Sequence, residues 1–291
     1  TRAVIAQFQY QFRAFPAQAQ GDGADLRLAP GPALLRGFDA VRQRIRAYDL
    51  ITASSSYMFQ ELLDQVAPPA QVVPNGVELE LYRAEGPHWP LKTRKKFRFL
   101  YVGGLVPRKG WDLAVNAYLR TFTAADDVCL VIKGYGAQGV YADGGHRQLE
   151  QLLAELSRQS GGPEIEYHPE HMGEQEVAAL YRSCNVLLAP YRGEGFGMPI
   201  AEAMATGKTA IVPSYGPCLE CCQDDTALFV PARQAPIDLR GGDLASTAPT
   251  HWAEIDLEAL GRTMRSAYQQ PELLTERGLR AAKVIRTRYG W

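Results

Sequence analysis

The chain has 291 residues, of which 46% are apolar and 22% charged, and its formal net charge is −1. That composition belongs to a globular protein with room for one large domain or two smaller ones, and it excludes bulk disorder. The near-neutral balance excludes the strongly basic footprint of a nucleic-acid binder, so no nucleic acid is expected as a partner, and no apolar run reaches membrane-span length.

The first 80 residues are irregular in pattern. Val4–Phe8 reads as a strand, Gln18 to Pro32 as loop, and Leu34–Ala47 as a helix with an Arg-rich face. Leu50-Ile-Thr-Ala is a short strand, and Ser54-Ser-Ser is an N-cap run for a helix over Tyr57–Val66 that Pro68-Pro69 ends. Val72-Val73 is another strand, closed by the turn Pro74-Asn75-Gly76. Glu78 to Lys96 is polar and punctuated by Pro87 and Pro90, which predicts a linker; Arg94-Lys-Lys96 in it reads as a solvated face.

From Phe97 strands and helices alternate. Strands are expected at Phe97–Val102, Val128–Lys133, Glu164–Tyr167, Asn185–Ala189, Thr209–Val212 and Ala227–Val230, the last closing the sheet. Helices are expected at Trp111–Phe122, Arg147–Gln159, Glu174–Arg182 and Pro199–Ala205, and two more, Leu257–Tyr268 and Pro271–Arg288, end the chain. A glycine-rich loop holds Gly134, Gly136, Gly139, Gly144 and Gly145. The alternation predicts an α/β fold with a doubly wound parallel sheet, whose ligands bind at the carboxyl ends of the strands.

Thr1-Arg-Ala-Val-Ile reads as the start of a strand rather than a signal peptide. The missing Met there and the abrupt stop at Tyr289-Gly-Trp291 suggest a fragment. Cys129 and Cys184 lie in or beside apolar segments and read as small core residues. Cys218-x-x-Cys221-Cys222 has the look of a metal or redox site, but no second Cys or His pair matches it in spacing, so no metal is expected. An odd cysteine count without a secretory signal points to a reducing cytoplasm.

Chemistry concentrates at the ends of strands. In Arg192-Gly-Glu194-Gly-Phe-Gly197-Met-Pro199, Gly195 and Gly197 permit a sharp turn and close approach to a ligand, and Pro199 suits the first helical position. The amides and dipole of that helix favour a phosphate, and Glu202 lies one turn in, placed for ribose hydroxyls. The plainer alternative is that Glu202 partners the dipole and Glu194 is an exposed loop acid. Gly103-Gly104-Leu-Val-Pro-Arg108-Lys109-Gly110 allows close backbone approach and supplies two cations for a diphosphate, or is a solvated basic turn. His168 and His171, in Tyr167-His168-Pro-Glu-His171-Met172, lack a third ligand nearby and read as surface or packing histidines. Lys133, before Gly134-Tyr135-Gly136, either faces a ligand or caps the strand end in water.

Together these motifs resemble the retaining glycosyltransferases of GT-B architecture, especially family 4, the glycosyl transferases group 1. Glu194 to Glu202 looks like that family's pair of acids separated by seven residues. Phe99-Leu-Tyr-Val-Gly-Gly-Leu-Val-Pro-Arg-Lys-Gly110 is similar to the first loop of its donor domain, and Val72-Val-Pro-Asn-Gly-Val77 to the segment that closes its acceptor domain. Gly104 stands where the family has an Arg, Lys109 matches the family's Lys, and Arg108 is the nearest substitute for the guanidinium. Gln9, in Gln7-Phe-Gln9-Tyr10, stands near the position of a His in several members, and no role is assigned to it.

The resemblance implies one complete doubly wound Rossmann-like domain plus the C-terminal remnant of a second. Residues 1–77 would be the remnant of the acceptor domain, 78–96 the linker and 97–291 the nucleotide-sugar-binding domain. It implies a retaining transfer of sugar from a nucleotide-diphosphate sugar to a hydroxyl on a sugar, lipid-linked or protein acceptor, without a metal or other cofactor. Glu194 and Lys109 would be catalytic. Gly103, Gly104, Arg108 and Lys133 would bind the donor, as would Gly195, Phe196, Gly197, Met198, Pro199 and Glu202 around the helix mouth. His171 and Met172 would border the base. Peripheral membrane contact would come only through the missing N-terminal domain. A sugar-nucleotide epimerase of the same architecture and a non-catalytic nucleotide-binding half remain alternatives.

Overall fold

The computed structural model describes residues 5–8, 50–57, 70–135, 145–158, 161–236 and 251–291. The expected helix Leu34–Ala47, most of the expected helix Tyr57–Val66 and the loop glycines Gly136, Gly139 and Gly144 lie outside the described residues.

Three short parallel strands come first: β1 (Ile5–Phe8), β2 (Leu50–Ala53) and β3 (Ala70–Val72), with Ile5 beside Leu50 and Ile51 beside Ala70. A six-stranded parallel sheet follows. Its strands are β4 (Phe97–Gly104), β5 (Val128–Tyr135), β6 (Glu164–His168), β7 (Val186–Leu188), β8 (Thr209–Pro213) and β9 (Ala227–Val230), in the order β6-β5-β4-β7-β8-β9. The chain runs outward from β4 to β6, then crosses back to place β7 on the other side of β4. An open α/β sheet leaves a ligand crevice at such a reversal, outside the carboxyl ends of the strands on either side of it.

Strand β4 shows why this sheet is a middle layer. Phe97, Phe99 and Tyr101 alternate with Leu100 and Val102, and all five are buried. The first set packs with helices α1 (Trp111–Thr121), α2 (Gly145–Arg158) and α5 (Leu257–Gln269). The second packs with α3 (Glu174–Ser183), α4 (Met198–Ala205) and α6 (Pro271–Arg288). A strand covered on both faces needs apolar residues at successive positions, which is what the sequence carries. Each large side chain so buried contributes about 1.5–3 kcal/mol.

The structure corrects the expected element ends. Strands β4 and β5 continue two residues beyond their apolar runs, because the ladder pairs Gly103 with Gly134 and Gly104 with Tyr135. Gly103 and Gly104 are therefore strand residues rather than loop residues. Pro199 occupies the second helical position, since α4 opens at Met198 with Gly197 as its N-cap. An antiparallel pair, β10 (Ala232–Pro236) with β11 (His251–Ile255), was not foreseen.

The segment read as a linker lies flat on α3. The buried Arg182 guanidinium donates to the carbonyls of Leu81 (3.3 Å), Arg83 (3.2 Å) and Pro87 (2.7 Å), and Ser183 Oγ to that of Trp89 (3.0 Å). These bonds offset the cost of burying a guanidinium and fix residues 81–89 as a strap. The chain end returns to the same region: Val77 N donates to Tyr289 O (2.7 Å) and Trp291 N to Val77 O (3.3 Å). Among the described residues no helix is long and apolar enough to cross a membrane.

Candidate functional site

Two loops meet where the sheet reverses its order. After β4, Tyr101 donates its hydroxyl to Gly104 O (3.0 Å), and a 3-10 turn over Pro107–Lys109 leads to Gly110, the N-cap of α1. Gly110 has φ 72°, and a Cβ there would stand 1.9 Å from Pro190 O, so both backbone and contact require glycine. That close approach lays the turn against the loop after β7. Arg192 N (2.9 Å) and Gly193 N (3.2 Å) donate to Arg108 O, and Arg108 Nη1 donates to Gly193 O (2.9 Å). Arg192 is itself braced. Its guanidinium grips both Asp112 oxygens (2.8 and 2.6 Å) and stacks 5.1 Å from the Trp252 ring centre, while Ala253 N donates to Arg192 O (2.7 Å). The β10–β11 pair thus supports the loop.

The seam between the loops carries an ion pair between Lys109 Nζ and the Glu194 carboxylate, whose side chains are only 18% and 14% exposed. Glu194 Oε1 also accepts from Gly195 N (3.1 Å). Burial works against the Glu194 charge, but Lys109 and Arg108 overcome it and hold the carboxyl below the usual carboxylate range. Burial lowers the Lys109 pKa, and Glu194 opposes that shift. The Glu194 carboxyl is therefore ionised at neutral pH. The sequence placed Glu194 and Lys109 in separate motifs; the structure joins them.

Helix α4 opens beside this pair. Gly197 adopts φ 92°, no side chain caps the helix, and its first turn holds no acid, so its amides and dipole favour an anion. Ser55 Oγ donates to Gly195 O (2.6 Å), which ties the N-terminal segment to the loop. The Phe196 ring points away into the core against Tyr289, with centroids 5.8 Å apart, so this residue presents its backbone to the site. Met198 and Pro199 are half-buried at the helix mouth.

One turn further in, Glu202 Oε2 accepts a hydrogen bond from the Tyr181 hydroxyl (2.9 Å), and the Tyr82 ring meets that of Tyr181 edge-on, with centroids 6.1 Å apart. Burial pushes the Glu202 carboxyl up to about 7 despite the Tyr181 bond, and Glu174 adds to the rise. Lys133 does not cap the strand end in water, because its side chain is buried. Its ammonium donates to Gly134 O and Glu170 O (both 2.8 Å) and lies 4.7 Å from the Tyr135 ring centre. Of the two expected histidines, His168 is a packing residue: its ring bridges Glu166 (3.0 Å) and Glu170 (2.7 Å) beneath Trp89. His171 is exposed and Met172 is buried in the core. Cys218, Cys221 and Cys222 are buried free thiols, and among the described residues no group of three or more His, Cys, Asp or Glu side chains has metal-holding geometry.

Sequence reasoning missed Tyr82, Tyr181 and the Asp112–Arg192–Trp252 brace. Tyr181 reads as a helix core residue and Tyr82 as a linker residue, and neither carries a pattern that points to Glu202.

The arrangement defines a Rossmann-like fold of GT-B type with cationic and acidic groups at the reversal of strand order. Residues 96–239 match the family model of the glycosyl transferases group 1. It is 28% identical over 196 residues to an uncharacterized glycosyltransferase of Methanocaldococcus jannaschii, covering 66% of this chain and 48% of the relative. It is 30% identical over 200 residues to an MMP alpha-(1->4)-mannosyltransferase of Mycolicibacterium hassiacum, covering 64% of this chain and 44% of that one. The chain spans about half the length of the curated relatives it matches. The Anabaena protein HepE, solved with UDP and glucose, superposes with a TM-score of 0.68 at 15% identity, covering 99% of this chain and 68% of that one.

Proposed function

We propose that the chain binds a nucleotide-diphosphate sugar in the crevice between the Gly103–Gly110 and Arg192–Pro199 loops and takes part in a retaining sugar transfer. The observation that carries this is the Lys109–Glu194 pair spanning the two loops beside the uncapped mouth of α4. An ammonium has three N–H groups and Glu194 takes one, so Lys109 keeps donors for a diphosphate. On this reading Lys109, Arg108 and the α4 amides stabilise the charge that grows on the leaving diphosphate, in the place a metal would take. Glu194 holds sugar hydroxyls and offsets positive charge on the ring. Gly103 and Gly104 let the backbone approach the donor, Glu202 takes the ribose, and the Lys133 and His171–Met172 region borders the base. The acceptor hydroxyl attacks the anomeric carbon on the face the phosphate leaves. The bond to the phosphate oxygen breaks as the new glycosidic bond forms, and the acceptor proton passes to the departing phosphate.

Residues 1–77 then belong to the acceptor wall and 97–291 to the donor domain. Two relatives support the donor class by name, since they are GDP-mannose-dependent mannosyltransferases of Mycobacterium tuberculosis, and HepE supports it through its bound UDP. The free, buried thiols support a reducing compartment such as the cytoplasm. The test is nucleotide release from UDP-glucose and from GDP-mannose, with the anomeric configuration of any product read by NMR. A retained configuration, lost in Glu194→Gln, is expected. An inverted product would overturn the retaining mechanism, and donor binding without release would support a nucleotide-binding half.

A further inference from the structure

Ser55 meets the Glu194 loop from 140 positions away in the sequence. Its side chain is buried, and its Oγ donates to Gly195 O at 2.6 Å. The next two backbone amides are held by a single side chain. Ser56 N donates to Glu220 Oε2 (3.1 Å) and Tyr57 N to Glu220 Oε1 (2.9 Å). The Tyr57 ring meets Tyr215 edge-on, with centroids 6.0 Å apart and planes at 75°, and its hydroxyl donates to that of Tyr215 (3.4 Å).

Glu220 is itself firmly placed, at the end of a 3-10 turn over Pro217–Glu220 that follows β8. Tyr191 donates its hydroxyl to Tyr215 O (2.7 Å), Cys218 N donates to the Tyr191 hydroxyl (3.4 Å), and the Tyr289 hydroxyl donates to Glu220 O (3.1 Å). Cys218, Cys221 and Cys222 bury their side chains in the same core as Tyr191 and Tyr289, so the cysteine run anchors the turn.

We propose that Glu220 is a positioning residue for the candidate site: by holding the amides of Ser56 and Tyr57 it seats the Ser55 hydroxyl on Gly195 O and so fixes the turn that joins Glu194 to the mouth of α4. The purpose given to that turn rests on the donor-site reading above, whereas the clamp does not. Each carboxylate oxygen takes one amide, which sets the orientation of the segment as well as its distance. Bonds from amides to a carboxylate are charge-assisted and stronger than those between neutral groups. Gly195 is where such a hold matters, because glycine has the widest backbone freedom to lose. Its N–H donates to Glu194 Oε1 (3.1 Å) and its carbonyl accepts from Ser55, so it is bonded on both sides, once from outside the loop. Two residues on, Gly197 opens α4.

The test follows hydrogen exchange at single amides by NMR, without ligand, in wild type, Ser55→Ala, Glu220→Ala, Glu220→Gln and the double variant with both alanines. Ser55→Ala should speed Gly195 exchange about fivefold, as the loss of one hydrogen bond allows, and leave Tyr57 exchange unchanged. Glu220→Ala should speed Tyr57 and Gly195 together, and Glu220→Gln, which keeps one acceptor oxygen, should do so less. The double variant should match Ser55→Ala at Gly195, because both changes act through one contact. Gly195 exchange that Glu220→Ala leaves unchanged, or effects that add in the double variant, would overturn the inference. Calorimetry in parallel compares UDP with UDP-glucose and GDP with GDP-mannose. Since the sugar is assigned to Glu194, Ser55→Ala and Glu220→Ala should lower the ratio of sugar-nucleotide to nucleotide affinity about fivefold. A loss equal for both ligands would mean that the clamp only packs and would overturn the positioning role. Faster Gly195 exchange in the variants, with no nucleotide bound by wild type, would uphold the clamp and overturn the donor-site reading instead.

Discussion

Replacing Glu202 by Gln should stabilise the protein at alkaline pH while weakening the donor site. Burial raises the Glu202 carboxyl from the model-compound value of 4.5 to about 7. Between those values the folded chain holds a proton that the unfolded chain has released. Stability from this group therefore falls as pH rises from about 4.5 to about 7, and the full cost is present above that window. At about 1.36 kcal/mol per pH unit, the interval amounts to about 3 kcal/mol. Gln keeps a carbonyl oxygen for Tyr181 and carries no charge to desolvate. Glu202→Gln should thus melt near wild type at about pH 4.5 and several degrees higher at about pH 8, with the gap opening between. Thermal denaturation of both proteins across that range is the assay. Parallel melting curves at every pH would refute the reasoning, because Glu202 would then ionise in the folded state at no cost.

Lys109→Met should leave the Glu194 charge without its ammonium and cost about 2–4 kcal/mol in urea unfolding. Adding Glu194→Gln should restore part of that loss, and strictly additive losses would show that the pair is not coupled. Gly110→Ala combines φ 72° with a Cβ 1.9 Å from Pro190 O, so it should cost at least about 2 kcal/mol. Gly161→Ala has φ 109° but nothing within 4 Å, so it should cost only about 1 kcal/mol; equal melting shifts would contradict the role given to the Pro190 contact. Arg182→Gln should free the strap and speed limited proteolysis within residues 81–89, and an unchanged cleavage pattern there would show that the three carbonyl bonds do not hold it.

Local signals were legible in the sequence and long-range ones were not. The strand–loop–helix unit around Glu194 and Glu202 announces itself because glycines, a proline and an apolar strand occur within a few residues of one another. The parallel sheet follows from the alternation of strands with helices, and β4 to β9 each overlap the apolar run that announced it. The last residues of β4 and β5 were missed because Gly103, Gly104 and Gly134 have no apolar side chain, while the ladder that includes them depends on the partner strand. Strand β10, Ala-Arg-Gln-Ala-Pro, has no apolar alternation of its own and exists through its pairing with β11. Lys133 is the clearest case of tertiary override. A lysine at a strand end reads as solvated, yet two backbone carbonyls and the Tyr135 ring make its burial tolerable. The Lys109–Glu194 pair joins residues 85 positions apart, and no spacing rule reaches that far.

The central claim is that a nucleotide diphosphate binds between the Lys109 turn and the α4 mouth. Calorimetric titration of the chain with UDP and with GDP tests it most directly. The account predicts one site for at least one of the two, at least tenfold weaker in Lys109→Met, about the value of one charge-assisted contact. No heat with either nucleotide, or binding that Lys109→Met leaves unchanged, would contradict it.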